Sequence, residues 1–167
     1  MAEYTRPATW DDVKLVARLL EQEGVRYALI GGYAIAAHGF VRFSEDVDIL
    51  VDPSPENTKR WIAALAALPD GATRELAGQD DLFEREGPYA VRVNDEFTID
   101  VMPSACGLGW AELEHLVEER DVDGVRIRVL GLRGLLKTKE GMRDKDRADA
   151  HVLRAAIEAI GGDGEPA

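Results

Sequence analysis

The chain has 167 residues, of which 46% are hydrophobic and 31% charged, and its net charge is −12 at pH 7. These proportions are typical of a soluble globular protein with a real core, and so acidic a chain cannot bind nucleic acid nonspecifically through its whole surface. No apolar run approaches the roughly 20 residues of a transmembrane helix, and the N-terminus lacks the basic-then-apolar pattern of a signal peptide.

The first half of the chain predicts alternating helices and strands. Thr9, followed by Asp11 and Asp12, is typical of a helix start, because a hydroxyl caps free N–H groups and carboxylates favour the positive end of the helix dipole. The amphipathic helix that follows should end at Gly24. Beyond it we predict a strand over residues 25–30, a short buried helix that starts after Gly31-Gly32 and ends near Gly39, a strand over 46–51, and a helix capped by Ser54 that continues to about Leu68.

The second half predicts two hairpins and a helical end. Residues 69–88 are polar and glycine-rich, and the pattern there predicts little. Alternating segments flank Asn94-Asp95, and others flank Asp123-Gly124, which is the strongest hairpin signal in the chain. The predicted elements are strands at 89–93, 97–102 and 125–130, with Val122 before the last of them, a helix at 110–119, and one or two helices within 135–160.

Strands and helices interleave, but two hairpins imply antiparallel edges. We therefore expect an α/β (α+β) fold, in which helices flank a mixed β-sheet and further helices follow at the C-terminal end. No repeat or linker interrupts the pattern, so residues 1–161 should form one domain, and 162–167 should be a flexible tail.

The segment FSEDVDILVD, residues 43–52, places carboxylates on an apolar strand. Side chains alternate along a strand, so Asp46 and Asp48 should share one side while Val47 faces the core. Two negative charges about 6.5–7 Å apart repel each other unless a cation lies between them. Asp100 has the same apolar setting, and if its strand pairs beside the first, three carboxylates meet on one face. Such oxygen ligands suit hard cations, Mg²⁺ above all.

Context separates the two copies of Asp-Val-Asp in the chain. The copy at 121–123 precedes Gly124, and because a tight turn prefers Asp there, we interpret it as structural. The copy at Asp46–Asp48 follows Gly31-Gly32, which lies between a predicted strand and helix. At such a junction backbone N–H groups can face a phosphate with no Cβ in the way, although two glycines can also serve close packing alone.

Gly31-Gly32, then thirteen residues, then Asp46-Val47-Asp48 and later Asp100, resembles the signature of the polymerase-beta-like nucleotidyltransferase superfamily. Residues 31–57 are similar more narrowly to its small bacterial and archaeal members, the minimal nucleotidyltransferases and the abortive-infection toxins of the AbiEii type. The other matching positions are His38, Gly39 and Arg42, and, in a later Lys-rich stretch, Lys137, Lys139, Arg143, Lys145 and Asp146.

The resemblance implies an enzyme that moves a nucleoside monophosphate from an NTP to an acceptor hydroxyl and releases pyrophosphate. By this resemblance Asp46 and Asp48 would hold two Mg²⁺ ions, and Asp100 would ligate the catalytic ion and help to activate the hydroxyl. The remaining implied roles are phosphate contact by Gly31 and Gly32, and neutralisation of the triphosphate by Arg42, Lys137 or Lys139.

The chain departs from the family at Gly32, where many members have serine. One hydrogen bond to phosphate is then missing, unless Ser44 supplies it. Little chain remains for an acceptor domain, so the acceptor platform should be the last helices, a second subunit in a homodimer or another protein. The acceptor stays open between RNA such as tRNA, a protein and a small molecule.

The family resemblance also bears on partners and leaves one alternative function. A toxin of a toxin–antitoxin system would have a cognate antitoxin or helical partner, and no membrane partner is expected. The alternative is a nucleotide-binding regulatory module with weak or no transferase activity that acts through a partner protein. Cys106, the only cysteine, cannot form an internal disulfide, which favours a reducing, cytoplasmic location. His38, on an apolar helix, is interpreted as structural.

Overall fold

The computed structural model describes residues 5–40, 42–86, 89–139 and 144–160, without the side chains of 86 and 144–147. The helices are α1 (Trp10–Gln22), α2 (Gly31–Ala37), α3 (Pro55–Leu65), α4 (Leu82–Glu86), α5 (Trp110–Leu113), α6 (Leu132–Lys137) and α7 (Asp144–Ala159). The strands are β1 (Tyr27–Ile30), β2 (Val47–Val51), β3 (Val91–Asn94), β4 (Thr98–Met102), β5 (Ser104–Ala105), β6 (Leu108–Gly109), β7 (Val117–Val122) and β8 (Val125–Leu130). The tail predicted at 162–167 lies outside the described residues.

Six strands form one mixed sheet in the order β3-β4-β2-β1-β8-β7. The pairs β2–β4 and β1–β8 are parallel, and the other neighbours are antiparallel. The two predicted hairpins, β3–β4 and β7–β8, form the two edges of this sheet. With α6 and α7 at the C-terminal end, this arrangement confirms the predicted fold class. No helix in the described ranges is long and apolar enough to cross a membrane.

The core lies between the sheet and the helices that pack on it. All four residues of β1 are buried, and because side chains alternate along a strand, both faces of this central strand must be covered. Helix α2 packs against β1 and β2, and α1 packs against β8 and α3. Helix α1 begins as predicted, since Thr9 Oγ1 accepts a hydrogen bond from the Asp12 backbone and Asp12 accepts one from Thr9 N–H.

The predicted helix at 110–119 is wrong in its second half. Helix α5 ends at Leu113, a 3₁₀ turn follows at Glu114–Leu116, and Val117 begins strand β7. Val117 lies opposite Leu130 of β8 in an antiparallel ladder. Backbone hydrogen bonds to the other strand of this hairpin therefore outweigh the local helical preference of the glutamate-rich segment.

The second Asp-Val-Asp copy is a turn, as its sequence context predicts. Asp123 and Gly124 have φ of +53° and +84°, as in the type I′ turn that suits a two-residue hairpin. The Gly124 N–H donates to Asp121 Oδ1 at 2.7 Å, and the Asp123 carboxylate pairs with Lys14 at 2.7 Å. The Asp121 carboxylate therefore stabilises the turn, and the Asp123 carboxylate links the hairpin to α1.

Candidate active site

Three carboxylates meet where two parallel strands lie side by side. In the register of β2 and β4, Asp48 lies directly opposite Asp100, and Asp46 immediately precedes β2. Val47 and Ile49 are at most 1% exposed, so alternation turns Asp48 away from the core, as the sequence predicts. The strand pairing therefore brings Asp46, Asp48 and Asp100 to one cavity.

This cavity has a volume of about 770 Å³ and contains most of the predicted site residues. Those that line it are Gly31, Arg42, Ser44, Asp46, Asp48, Asp100 and Lys139. Gly32 is buried beneath the wall, and Lys137 is exposed on α6 and does not line the cavity. The structure therefore brings the three predicted carboxylates together with Arg42 and Lys139, and it places Lys137 outside the lining of the cavity.

Asp48 carries the strongest electrostatic strain in the cavity. Burial raises the pKa of the Asp48 carboxyl to about 7, and the charges of Asp100 and Asp46 and a hydrogen bond with Asp100 act in the same direction. Lys139 opposes the rise but does not cancel it. Near neutral pH the pocket therefore holds more negative charge than its own side chains can stabilise, and a bound cation would relieve it.

Arg92, which sequence reasoning missed, bridges two of these carboxylates. Its Nε lies 3.0 Å from Asp100 Oδ1, its Nη2 lies 3.2 Å from Asp100 Oδ2, and Nη2 is 3.5 Å from Asp46 Oδ2. The antiparallel register of β3 and β4 places Arg92 opposite Asp100. The predicted turn at Asn94-Asp95 would pair Arg92 with Phe97, whereas the observed ladder is centred on Glu96 and pairs it with Asp100, so sequence reasoning does not find this contact.

The glycine pair allows the strand–helix junction to approach the acidic strand closely. Gly31 has φ +72°, and a Cβ there would collide with the Asp48 carboxylate. A Cβ at Gly32 would lie 2.7 Å from Ser44 Cβ, closer than such atoms approach in proteins. Close packing therefore accounts for both glycines, and their contact with phosphates stays a prediction.

The basic side of the cavity is organised by a buried carboxylate on α7. Asp149, only 6% exposed, accepts from Arg42 Nε at 2.9 Å and pairs with Lys139 Nζ at 3.3 Å. Arg42 also donates to the backbone carbonyl of Phe43 at 2.5 Å. Sequence reasoning missed Asp149 because more than 100 residues separate it from Arg42 in the chain.

Comparison with known proteins shows the family of the chain. The model of a family described as nucleotidyl transferase AbiEii toxin, type IV toxin–antitoxin system, matches residues 14–139. The chain belongs to the AbiEii nucleotidyltransferase toxin family. No curated protein sequence matches it.

Two solved structures resemble the AbiEii-family chain in fold. One, from Thermotoga maritima and described as a candidate nucleotidyltransferase, has a TM-score of 0.56 at 14% identity, and 90% of this chain and 92% of that chain are covered. The other, an antigenic nucleotidyltransferase-like protein from Paracoccidioides brasiliensis, has a TM-score of 0.50 at 14% identity, with 90% and 78% covered. At this identity the likenesses show the fold alone, which agrees with the mixed sheet and C-terminal helices.

Other matching residues of this AbiEii nucleotidyltransferase have structural contacts. His38 Nε2 lies 3.0 Å from the Leu130 carbonyl oxygen, and burial lowers the pKa of His38. Ser44 Oγ donates to the Asp46 backbone carbonyl at 2.9 Å, which fixes the start of the acidic strand. Arg143 lies outside the described residues, as do the side chains of Lys145 and Asp146.

The carboxylate oxygens of the AbiEii site suit a hard divalent cation. In the described part of the chain, no group of three or more His, Cys, Asp or Glu is arranged to hold a metal ion. Arg92 contacts two of these carboxylates, with its Nη2 3.5 Å from Asp46 Oδ2 and its Nε 3.0 Å from Asp100 Oδ1. The carboxylate oxygens are the ligands that Mg²⁺ prefers, and divalent charge would relieve the raised pKa of Asp48. The chemistry of these residues therefore fits such an ion.

Gly31→Ala is expected to destabilise the AbiEii chain by about 3 kcal/mol, because it adds a strained φ and displaces the Asp48 carboxylate. Gly39→Ala is the matched control, since Gly39 has φ +95° but a Cβ there meets nothing within 4 Å. The control should lose only about 1 kcal/mol, the cost of the backbone conformation. Urea denaturation measures both, and equal losses would contradict the close contact between Gly31 and Asp48.

Proposed function

We propose that this chain is a Mg²⁺-dependent nucleotidyltransferase whose two ions are held by Asp46, Asp48 and Asp100. The observation that carries the proposal is the register of β2 and β4, which gathers the carboxylates in one cavity beside Gly31. The ions would supply Lewis-acid charge at the acceptor hydroxyl and at the leaving oxygen. In the reaction the acceptor oxygen bonds to the α-phosphorus, the α–β phosphoanhydride bond breaks, and pyrophosphate leaves.

The chain's own residues have separate tasks in this proposal. Asp46 and Asp48 would hold the cations that neutralise the triphosphate. Asp100 orients the acceptor hydroxyl and favours loss of its proton. Arg42 and Lys139 provide the local positive charge that an NTP needs in a chain of net charge −12. Lys137 is left out because it does not line the cavity. Gly31 leaves room for the phosphates beside Asp48.

RNA is the acceptor that the cavity favours. Among the described aromatic residues, Phe43 and Tyr89 are the most exposed, each at 73%. Phe43 lines the cavity, and Tyr89 directly precedes Ala90 on its wall. Exposed aromatic rings are stacking platforms for unpaired bases, each stack contributing about 1–3 kcal/mol. A cognate antitoxin is the partner expected from the type IV toxin family.

The proposal is tested by incubating the protein with Mg²⁺, each α-labelled NTP, total RNA and cell lysate. Label should pass to RNA, and the transfer should vanish with EDTA and in Asp46→Asn/Asp48→Asn. The matched control is Asp121→Asn/Asp123→Asn, which makes the same exchange in the other Asp-Val-Asp. The turn should persist because Asn also suits positive φ, and the change removes only the ion pair between Asp123 and Lys14. The control should retain transfer, and label in protein or small molecules would reassign the acceptor.

Nucleotide binding without turnover is measured by the rate at which the thiol of Cys106 is alkylated. Cys106 is exposed and lines the same cavity. Mg²⁺ with an NTP should slow alkylation of this thiol in the wild type. Protection without any label transfer would favour a regulatory nucleotide-binding module that acts through a partner protein. Neither protection nor transfer in the presence of metal would overturn both functions.

A further inference from the structure

Arg92 contacts two of the carboxylates that the proposed function assigns to Mg²⁺. Its fork contacts both oxygens of Asp100, at 3.0 and 3.2 Å, and reaches Asp46 at 3.5 Å. This bidentate geometry is the strong form of a carboxylate–guanidinium pair and occupies both Asp100 oxygens. A metal ion at the same carboxylate would have to share these oxygens with the fork, and the positive charges of the ion and the guanidinium would repel each other.

The fold does not need this ion pair. The Arg92 side chain is 60% exposed and extends from β3, an edge strand of the sheet. Water screens the guanidinium, although its partner Asp100 is only 14% exposed. Breaking this pair should therefore cost less than breaking the Arg42–Asp149 pair, whose side chains are 24% and 8% exposed.

The position of Arg92 allows its guanidinium to bind an anion that enters the cavity. Its backbone is fixed opposite Asp100 by the β3–β4 ladder, so the side chain stays at the cavity whether or not it contacts the carboxylates. The anion that enters this cavity in the proposed function is a triphosphate with bound metal. A guanidinium binds phosphate oxygens with the same bidentate fork that it uses for carboxylates.

We propose that Arg92 neutralises Asp46 and Asp100 while the site is empty, yields them to the metal, and then binds the triphosphate. This inference rests on the proposed function and extends it, because it assigns to Arg92 opposite effects on two ligands. The residue competes with the metal when nucleotide is absent, and it supports the nucleotide when the metal is present. A merely structural ion pair would do neither.

The test compares Arg92→Ala with the wild type in two binding measurements without turnover. Mn²⁺ alone is titrated by electron paramagnetic resonance, and the Mg²⁺ complex of an α,β-methylene NTP, which cannot release pyrophosphate, is titrated by calorimetry. Without its competitor, Mn²⁺ should bind about tenfold more tightly to Arg92→Ala, and the nucleotide analogue should bind about tenfold more weakly. Arg92→Lys keeps the charge but loses the fork, so both changes should be smaller.

Arg126→Ala is the matched control, because Arg126 is 70% exposed and its nearest carboxylate is Glu119, on the opposite edge hairpin. It removes the same charge and should change neither affinity by more than about twofold. If wild type binds both ligands and Arg92→Ala alters neither, or weakens Mn²⁺ binding, the inference is overturned and the proposed function stands. If wild type binds neither Mn²⁺ nor the analogue, the proposed function is overturned, and the inference with it.

Discussion

Asparagine in place of Asp48 is expected to abolish nucleotidyl transfer and, in the absence of metal, to make the folded protein more stable above pH 7. The amide has nearly the same size as the carboxylate but no charge with which to hold a cation. Loss of several kcal/mol of charge stabilisation corresponds to a fall in transfer of about three orders of magnitude or more. The gain in stability follows from the electrostatic strain at the same side chain.

The pKa of Asp48 is raised to about 7, first by burial and then by the charges of Asp100 and Asp46. The ordinary value is 3.8, so between about pH 4 and pH 7 the folded protein keeps a proton that the unfolded chain has lost. Wild-type stability should therefore fall as the pH rises through this window, and the full cost remains above it. The asparagine side chain has no such cost, so its advantage should be absent below pH 4 and greatest at pH 8.

Thermal melts in EDTA from pH 4 to pH 8 measure this difference. At pH 8 we expect Tm to be about 5–10 °C higher for Asp48→Asn, which corresponds to a few kcal/mol in a chain of this size. Added Mg²⁺ should raise the Tm of wild type at pH 8 and leave that of the variant unchanged. Identical melting curves for the two proteins across the range would contradict the strain at Asp48.

Asp52→Asn is a matched control with the opposite sign. Burial alone would raise the pKa of Asp52, but hydrogen bonds from the Ser54 backbone and from Arg26 lower it further than burial raises it. A carboxyl with a lowered pKa contributes stability above its unfolded pKa and loses it as the pH falls through the folded value. The control should therefore destabilise the protein at pH 8, and this loss should shrink toward low pH.

Asp149→Ala is expected to cause the largest loss of stability. The Asp149 side chain is 8% exposed and pairs with Arg42 and Lys139, which are themselves only 24% and 12% exposed. Removing this carboxylate takes away the negative charge that Arg42 and Lys139 share. Breaking such a buried pair costs about 3 kcal/mol or more. For this chain that corresponds to a fall in Tm of about 10 °C.

The same change should weaken nucleotide binding, because the carboxylate orients both basic residues at the cavity. We expect KM for NTP to rise about tenfold and kcat to change less, since the acidic side of the cavity is untouched. Asp149→Asn keeps the shape and one hydrogen-bond acceptor, so it should lie between wild type and Asp149→Ala in stability. Glu158→Ala is the control on α7, where the carboxylate is exposed, and it should change stability by about 0.5 kcal/mol or less. A melting temperature for Asp149→Ala equal to that of Glu158→Ala would contradict the proposed anchor.

The parts of the site that sequence predicts are those that depend on neighbours in the chain. Alternation puts Asp46 and Asp48 on one side of a strand, and the Asp123-Gly124 turn identifies the second copy as a hairpin. The approach of Asp100 requires the pairing of β2 with β4, which sequence could state only as a condition. The structure meets that condition.

What sequence reasoning missed depends on the packing of a distant helix and on the exact extent and register of two hairpins. Asp149 is an ordinary acidic residue of an amphipathic helix until α7 packs beside Arg42, 107 positions earlier. The hairpin signal at Asp123-Gly124 locates the turn between β7 and β8, but it does not say that β7 extends back to Val117. Arg92 also lies on a predicted hairpin, but the observed ladder is centred on Glu96 and not on Asn94-Asp95, so its pairing with Asp100 required the structure.

The contact between Gly32 and Ser44 has a consequence for how such chains are recognised from sequence. A side chain at position 32 would enter the space that the Ser44 side chain fills, with its Cβ 2.7 Å from Ser44 Cβ and 3.2 Å from Ser44 Oγ. The hydroxyl that many relatives attach to the helix is here attached to the loop facing it, so the two positions share one small volume. A serine could enter at 32 only if residue 44 became smaller. A pattern search that demands serine after the first glycine would therefore discard this chain, although the space beside its acidic strand still contains a hydroxyl.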